Sequence, residues 1–124
     1  MMARPLLILT LWLIFPGLAS SALLLPRNSE WRYFKGTAEA SNPVDAWRAV
    51  EFDDSSWASG STPIRYGDGN GGTVLDDMRG NYSSVFMRRT FTVTDVAEVS
   101  GLNLNVDWDD GYSIWINGTL VHSQ

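Results

Sequence analysis

Apolar and polar residues alternate with a period of two in several short runs of this chain, as they do in β-strands that bury one face. The clearest run is 102–108, where the apolar positions are Leu102, Leu104, Val106 and Trp108. After residue 22, the apolar residues do not repeat at the i, i+3, i+4, i+7 spacing of an amphipathic helix. The pattern therefore predicts an all-β chain of short strands, separated by Gly, Ser, Asn and Asp.

The same pattern predicts the main elements along the chain. Strands are expected at 31–35, 82–93, 102–108 and 112–116, and short helical turns at 45–48 and 95–100. The segment 52–57 is expected to be a turn, because its Asp and Ser side chains can accept hydrogen bonds from nearby backbone N–H groups. The segment 66–73 holds four glycines and is expected to be a loop.

Asn117-Gly118 lies between two apolar runs and is a strong hairpin signal, since both positions of a type I′ turn need a positive φ. The returning strand begins at Thr119, only five residues before the last residue, Gln124. We therefore expect a β-sandwich that is incomplete here, with C-terminal strands missing.

Residues 1–22 have the organisation of a secretory signal peptide. One positive charge at Arg4 precedes an apolar run over 6–18, and small residues at 19–22 provide the cleavage site. The apolar run is shorter than the ~20 residues of a membrane-spanning helix. This predicts a secreted protein, extracellular or on the cell surface, with the periplasm as the alternative.

The net charge and the absence of cysteine reduce the range of partners and metal sites that the protein could have. Cleavage after Ala22 removes one arginine and leaves 102 residues, so the formal net charge changes from −5 to −6. An acidic surface argues against nucleic acid and anionic membranes as partners. The absence of cysteine excludes disulfides and thiolate metal sites.

Several segments in order resemble the galactose-binding-domain-like jelly roll of carbohydrate-binding modules. They are 47–48 with 52–57, 66–69, 85–93 and 109–118. Similar domains stand at the N-termini of family 2 glycoside hydrolases and in large secreted bacterial surface proteins. The resemblance implies a jelly-roll β-sandwich over 23–124, bound to downstream domains of the same polypeptide, with carbohydrate as its ligand and catalysis in a separate barrel.

The residues themselves do not predict an enzyme. The only histidine, His122, is next to the end of the sequence, and the paired aspartates are adjacent in sequence. Neighbouring residues of a strand point to opposite faces, whereas glycosidase carboxylates must face each other across a cleft. We expect no catalytic residues here, and the activity of a longer parent protein stays open.

Calcium is the one cofactor that the sequence suggests. Asp68, Asn70, Asp76 and Asp77 offer oxygen ligands in and after the glycine-rich loop, and jelly rolls of the resembled class often hold a structural calcium. The spacing of an EF-hand loop is absent, and this favours the alternative of a solvated turn.

Trp115, Tyr112 and Asp110 are the candidate ligand-binding residues. Trp115 has the opposite parity to Tyr112, Ile114 and Ile116, so its indole is expected on the outer face, free to stack on a sugar ring. The alternative is that another layer buries it. Asp109-Asp110 also resembles the acidic pair of protective-antigen-type sugar-binding domains, in which the pair can hold a calcium ion that meets a sugar. The other tryptophans of the mature chain are expected in the core or packed on turns: Trp31, Trp47, Trp57 and Trp108.

The sequence thus favours a non-catalytic carbohydrate-binding or accessory module at the N-terminus of a larger secreted protein. Two alternatives stay open: a structural module that packs against a neighbouring domain without a sugar, and the N-terminal fragment of a glycoside hydrolase. The basic pair Arg88-Arg89 is expected to form salt bridges with the many carboxylates rather than to bind an anion.

Overall fold

The computed structural model of the protein describes residues 21–124, so the predicted signal peptide, apart from its last two residues, lies outside the described part. The described residues form strands and two short 3-10 helices, Ala46–Arg48 and Val96–Glu98. The strands are β1 (Glu30–Lys35), β2 (Ala58–Ser61), β3 (Ile64–Arg65), β4 (Thr73–Val74), β5 (Val85–Arg88), β6 (Ser113–Ile116) and β7 (Thr119–Ser123). The β-rich character is confirmed, whereas the jelly-roll arrangement stays a prediction.

Three small sheets organise these strands. The first sheet is antiparallel in the order β2-β1-β5, the second is the parallel pair β3-β4, and the third is the hairpin β6-β7. In the first sheet Tyr33 of β1 faces Ala58 of β2 on one side and Met87 of β5 on the other.

The predicted hairpin is confirmed at its turn. Asn117 and Gly118 have φ values of +50° and +80°, as a type I′ turn requires. The register shifts between Ile114, which faces His122, and Trp115, which faces Leu120, so β7 carries a bulge.

An aromatic core joins the first sheet to the hairpin. Trp47 and Trp57 are buried together with Ala40, and the partly buried residues packed on them are Phe34, Phe52, Phe86 and Trp115. The Trp47 ring lies 5.3 Å from Phe86 of β5 and 5.2 Å from Trp115 of β6, with edge-to-face geometry in both pairs. The core positions expected for Trp47 and Trp57 are therefore confirmed.

Two predicted strands differ from the observed ones. The segment 102–108 belongs to no sheet within the described residues, and Leu102, Leu104 and Trp108 are 55%, 52% and 48% exposed. An alternating segment buries its apolar face only where a second layer covers it, and the described residues place none there. The strand expected over 82–93 is also shorter: pairing ends at Arg88, and the Arg89 guanidinium donates to the Glu30 carbonyl oxygen of β1 instead.

Candidate functional site

The two faces of β6 have different neighbours, and this decides which aromatic side chain is accessible. Trp115 packs edge-on against Trp47, and the Arg48 guanidinium carbon lies 4.4 Å from the centre of its ring. The expected outward, uncovered position of Trp115 is therefore wrong. The physical reason is the Ala46–Arg48 helix, which forms a further layer over that face of the hairpin.

The opposite face carries an aromatic surface, formed by Trp108, Tyr112 and His122. The Tyr112 ring lies 4.9 Å from Trp108 and 5.5 Å from His122, with tilted planes in both pairs. Trp108 is about half exposed, Tyr112 is half-buried and His122 is exposed. The three rings thus form a continuous surface that is open to solvent.

Asp110 belongs to the turn that joins Trp108 to Tyr112. It is exposed and has a φ of +71°, a left-handed conformation that Asp and Asn tolerate better than other non-glycine residues. Two backbone hydrogen bonds between Tyr112 and Gln124, of 2.9 and 2.8 Å, extend the hairpin by one pair beside this turn. Asp110 is therefore two residues before the last backbone pair of the hairpin, in the segment that links the Trp108 and Tyr112 rings.

The structure brings two of the three predicted ligand-binding residues to one region and separates the third. Tyr112 and Asp110 belong to the aromatic surface and its adjoining turn, whereas Trp115 lies on the other face of β6. The sequence pattern did not single out Trp108 or His122. Trp108 shares the parity of Leu102, Leu104 and Val106, which wrongly indicated a core position, although the acidic turn that follows it was visible.

Exposed rings beside a carboxylate are suited to a polar ligand that also has an apolar face. A flat ring stacks on the C–H groups of a sugar, and carboxylates and ring N–H groups form hydrogen bonds with its hydroxyls. The described arrangement offers both kinds of group: the rings of Trp108 and Tyr112 and the carboxylate of Asp110.

A cleft of about 400 Å³ opens on the Trp115 side of the hairpin, at the Asn117-Gly118 turn. Its polar side chains are those of Asp45, Arg48, Glu51 and Asn117. The Nε atom of Arg48 is buried and has no hydrogen-bond partner among the described residues. Because Arg48 also covers the Trp115 ring, a ligand in this cleft would meet the guanidinium rather than the indole.

The four predicted calcium ligands do not converge. The glycine-rich loop that holds Asp68 and Asn70 is bridged by Arg65, which donates to the carbonyl oxygens of Gly67 at 2.6 Å and Gly71 at 2.9 Å. Among residues 21–124, no group of three His, Asp or Glu side chains is placed to hold a metal ion. Calcium binding stays a prediction from the sequence.

Asp77, one of those four residues, has other partners. Its Oδ2 atom accepts a hydrogen bond from Lys35 Nζ at 2.7 Å, and its Oδ1 atom accepts one from the Tyr82 hydroxyl at 2.9 Å. These two hydrogen bonds, that of Lys35 first, lower the pKa of Asp77, and the same carboxylate raises the pKa of Lys35. The pKa of Tyr82 is raised, first by desolvation and then by its hydrogen bond to Asp77.

No helix among the described residues has the length and apolar character to cross a membrane. Comparison of the chain with protein-family models, with curated proteins and with solved structures finds no match. The resemblance to galactose-binding-like domains therefore depends on the sequence segments alone.

Proposed function

We propose that this chain is a non-catalytic carbohydrate-binding module and that its ligand stacks on the aromatic surface of Trp108, Tyr112 and His122. The observation that carries the proposal is the contact of the half-exposed Trp108 ring with the half-buried Tyr112 ring at 4.9 Å, next to the turn of Asp110. The two ring planes are inclined at 59°, so a sugar would stack on the face of the Trp108 ring while Tyr112 borders it.

The cost of exposing these rings supports a binding role. Trp108 leaves about half of its surface in water, although burial of a large aromatic side chain is strongly favourable. Exposed aromatic surface that is fixed by a hairpin and bordered by a carboxylate is the composition expected of a ligand site.

The fold and setting that we propose follow the resemblance. The strands belong to a galactose-binding-like jelly roll, placed after a signal peptide at the N-terminus of a larger secreted protein. The short helix Ala46–Arg48 and the Asn117-Gly118 turn support this assignment, because they lie at two of the segments that carry the resemblance.

Glycan-array binding by the intact chain tests the proposal. We expect binding that Trp108→Ala reduces by tenfold or more and that Tyr66→Ala leaves unchanged. Tyr66 is a matched control, since it is also an exposed aromatic residue and its partner is Arg79, away from the hairpin. Absence of binding by the folded wild-type chain, or equal losses in both variants, would contradict the proposal.

A second candidate is a structural module that packs against a neighbouring domain without a sugar ligand. Four exposed aliphatic residues favour it, and they are close in sequence to Trp108 or His122: Leu102, Leu104, Leu120 and Val121. Leu120→Ser with Val121→Ser would separate the two functions. The sugar-binding role predicts that this variant keeps the glycan binding of the wild type. The second candidate predicts that the wild type binds no glycan and that the variant is more soluble.

A further inference from the structure

Three arginines are among the residues that line a second cleft, of about 380 Å³, between β1 and β5. The residues that matter for its chemistry are Glu30, Trp31, Arg32, Asp54, Arg88 and Arg89. Arg32 of β1 lies directly opposite Arg88 of β5 in the antiparallel register. Like charges placed opposite one another destabilise a sheet, so this arrangement needs compensation by negative charge.

Arg88 obtains that compensation within the protein. Its Nε donates to Asp54 Oδ2 at 2.9 Å, and its other nitrogens donate to the backbone carbonyls of Trp47, Ala49 and Phe52. The expected salt bridge of Arg88 is therefore confirmed, and this guanidinium is fully engaged in holding the fold.

Arg32 and Arg89 differ from Arg88 in this respect. Within residues 21–124 neither forms an ion pair, and their hydrogen bonds are one each, to the carbonyl oxygens of Trp57 and Glu30. The Nε atom of Arg89 is buried and has no hydrogen-bond partner in the described part of the chain. A guanidinium has five N–H donors, so most of the donors of both residues have no partner among residues 21–124.

The charge balance of this cleft also differs from that of the whole chain. Three arginines and two acidic residues are among the residues that line it, which gives a formal charge of +1, whereas the chain carries −5. One of the two carboxylates, that of Asp54, is already bound to Arg88. A single negative charge would neutralise the cleft.

From this geometry we infer that the cleft between β1 and β5 binds a carboxylate group, with Arg32 and Arg89 as its ligands. A planar carboxylate matches the paired N–H donors of a guanidinium, and the resulting hydrogen bonds are charge-assisted. The half-buried Trp31 lines the same cleft and would contact the carbon skeleton that bears the carboxylate. This inference is independent of the aromatic surface and of the proposed sugar ligand.

Isothermal titration of the intact chain with potassium glucuronate tests the inference. We expect saturable binding that weakens as NaCl is raised, with glucose showing none. Arg32→Gln should weaken it by about tenfold, because an exposed charge-assisted hydrogen bond is lost. Arg89→Gln should do the same, and its unfolding midpoint must be measured because it also contacts β1.

Two further variants test whether glucuronate affinity depends on the charge of the cleft. Glu30→Gln removes the carboxylate that is not paired with Arg88 and should tighten glucuronate binding, whereas Arg79→Gln, outside the cleft, should have no effect.

A third ligand, acetate, shows whether the cleft recognises the carboxylate group alone or also the sugar ring attached to it. Potassium acetate that binds as tightly as glucuronate would mean that the group alone is recognised, and weaker acetate binding would mean that the sugar contributes. Both outcomes retain the carboxylate site. Absence of glucuronate binding by the folded chain, or equal binding by wild type and Arg32→Gln, would overturn it.

Discussion

Arg88 of β5 attaches the segment 47–54, which includes most of the first 3-10 helix, to the first sheet. Its guanidinium contacts the carboxylate of Asp54 and carbonyl groups in and just after the 3-10 helix Ala46–Arg48, and its side chain is 11% exposed. The buried Trp47 lies in that same helix. The position of the aromatic core therefore depends on one planar group with several donors.

Replacing Arg88 by Lys should destabilise the protein although the charge is kept. A lysine ammonium cannot reproduce the fork of N–H donors, and the loss of hydrogen bonds to a charged group is worth about 1.5–3 kcal/mol. Urea unfolding followed by tryptophan fluorescence measures the effect. Arg79→Lys, at an exposed site, is the control and should change the free energy of unfolding little. Equal stabilities of the two variants would contradict this account of Arg88.

The Lys35–Asp77 pair makes a pH-dependent contribution. The hydrogen bond from Lys35 lowers the pKa of Asp77, so its stabilising effect is complete above the ordinary value of 3.8 and is lost as pH falls through the lowered pKa. The pKa of Lys35 is raised, so its effect is present below 10.5 and is lost as pH rises through the raised pKa.

Lys35→Met should therefore lower the unfolding temperature slightly at neutral pH and not at all in strong acid. The pair is exposed to solvent, which keeps the effect small and makes it weaker at high salt. Thermal unfolding by circular dichroism at both pH values measures it. A difference between wild type and variant that persists in strong acid would contradict the assignment.

Among the elements, the parallel pair β3-β4 shows how closely two backbones approach through a glycine. Gly72 has a φ of +70°, and a Cβ atom there would lie 2.0 Å from the Pro63 carbonyl oxygen. That oxygen accepts the hydrogen bond of Thr73 N at 2.9 Å, which begins the pairing. The residue that follows the pair, Leu75, is only 2% exposed.

Gly72→Ala should destabilise the protein more than Gly67→Ala does. Both positions have a positive φ, which costs an alanine about 1–3 kcal/mol, but nothing lies within 4 Å of a Cβ at Gly67. The difference between the two variants in denaturant unfolding thus isolates the steric clash. Equal effects would mean that the backbones of β3 and β4 are not in such close contact.

The glycine-rich loop is held by the positive charge of Arg65 in this structure. Arg65→Gln should lower the unfolding temperature because two carbonyl oxygens lose their donors, whereas chelation of calcium by EDTA should leave the wild-type value unchanged. A rise of the unfolding temperature on calcium addition, abolished by Asp68→Asn, would instead establish the calcium site that the sequence suggests.

Turns that depend on neighbouring residues could be predicted from the sequence. The burial of side chains that depends on packing between distant segments could not. Asn117-Gly118 needs only its own backbone preferences to form a hairpin, and Asp53 needs only Ser55 nearby to shape its turn. The orientation of Trp115 depends on a helix almost seventy residues earlier in the chain. The exposure of Trp108 depends on which layer covers 102–108, and strand parity carries no information about that.

At the scale of the whole molecule, the core and the candidate ligand sites occupy different places. Trp47 and Trp57 hold the first sheet and the hairpin together, while Trp108 and Tyr112 lie on the far side of that hairpin from Trp115. Substitutions on the aromatic surface should therefore change binding with little loss of stability. This separation makes a direct test of the binding function practicable.

The most direct test compares the affinity of wild type, Trp108→Ala and Asp110→Asn for a glycan that the wild-type chain binds, measured by isothermal titration. Asn tolerates the positive φ of residue 110, so Asp110→Asn removes the charge without straining the turn. We predict that Trp108→Ala weakens binding by tenfold or more, that Asp110→Asn weakens it measurably, and that both unfold as the wild type does. Unchanged affinity in the folded Trp108→Ala protein would contradict the central claim that the aromatic surface binds carbohydrate.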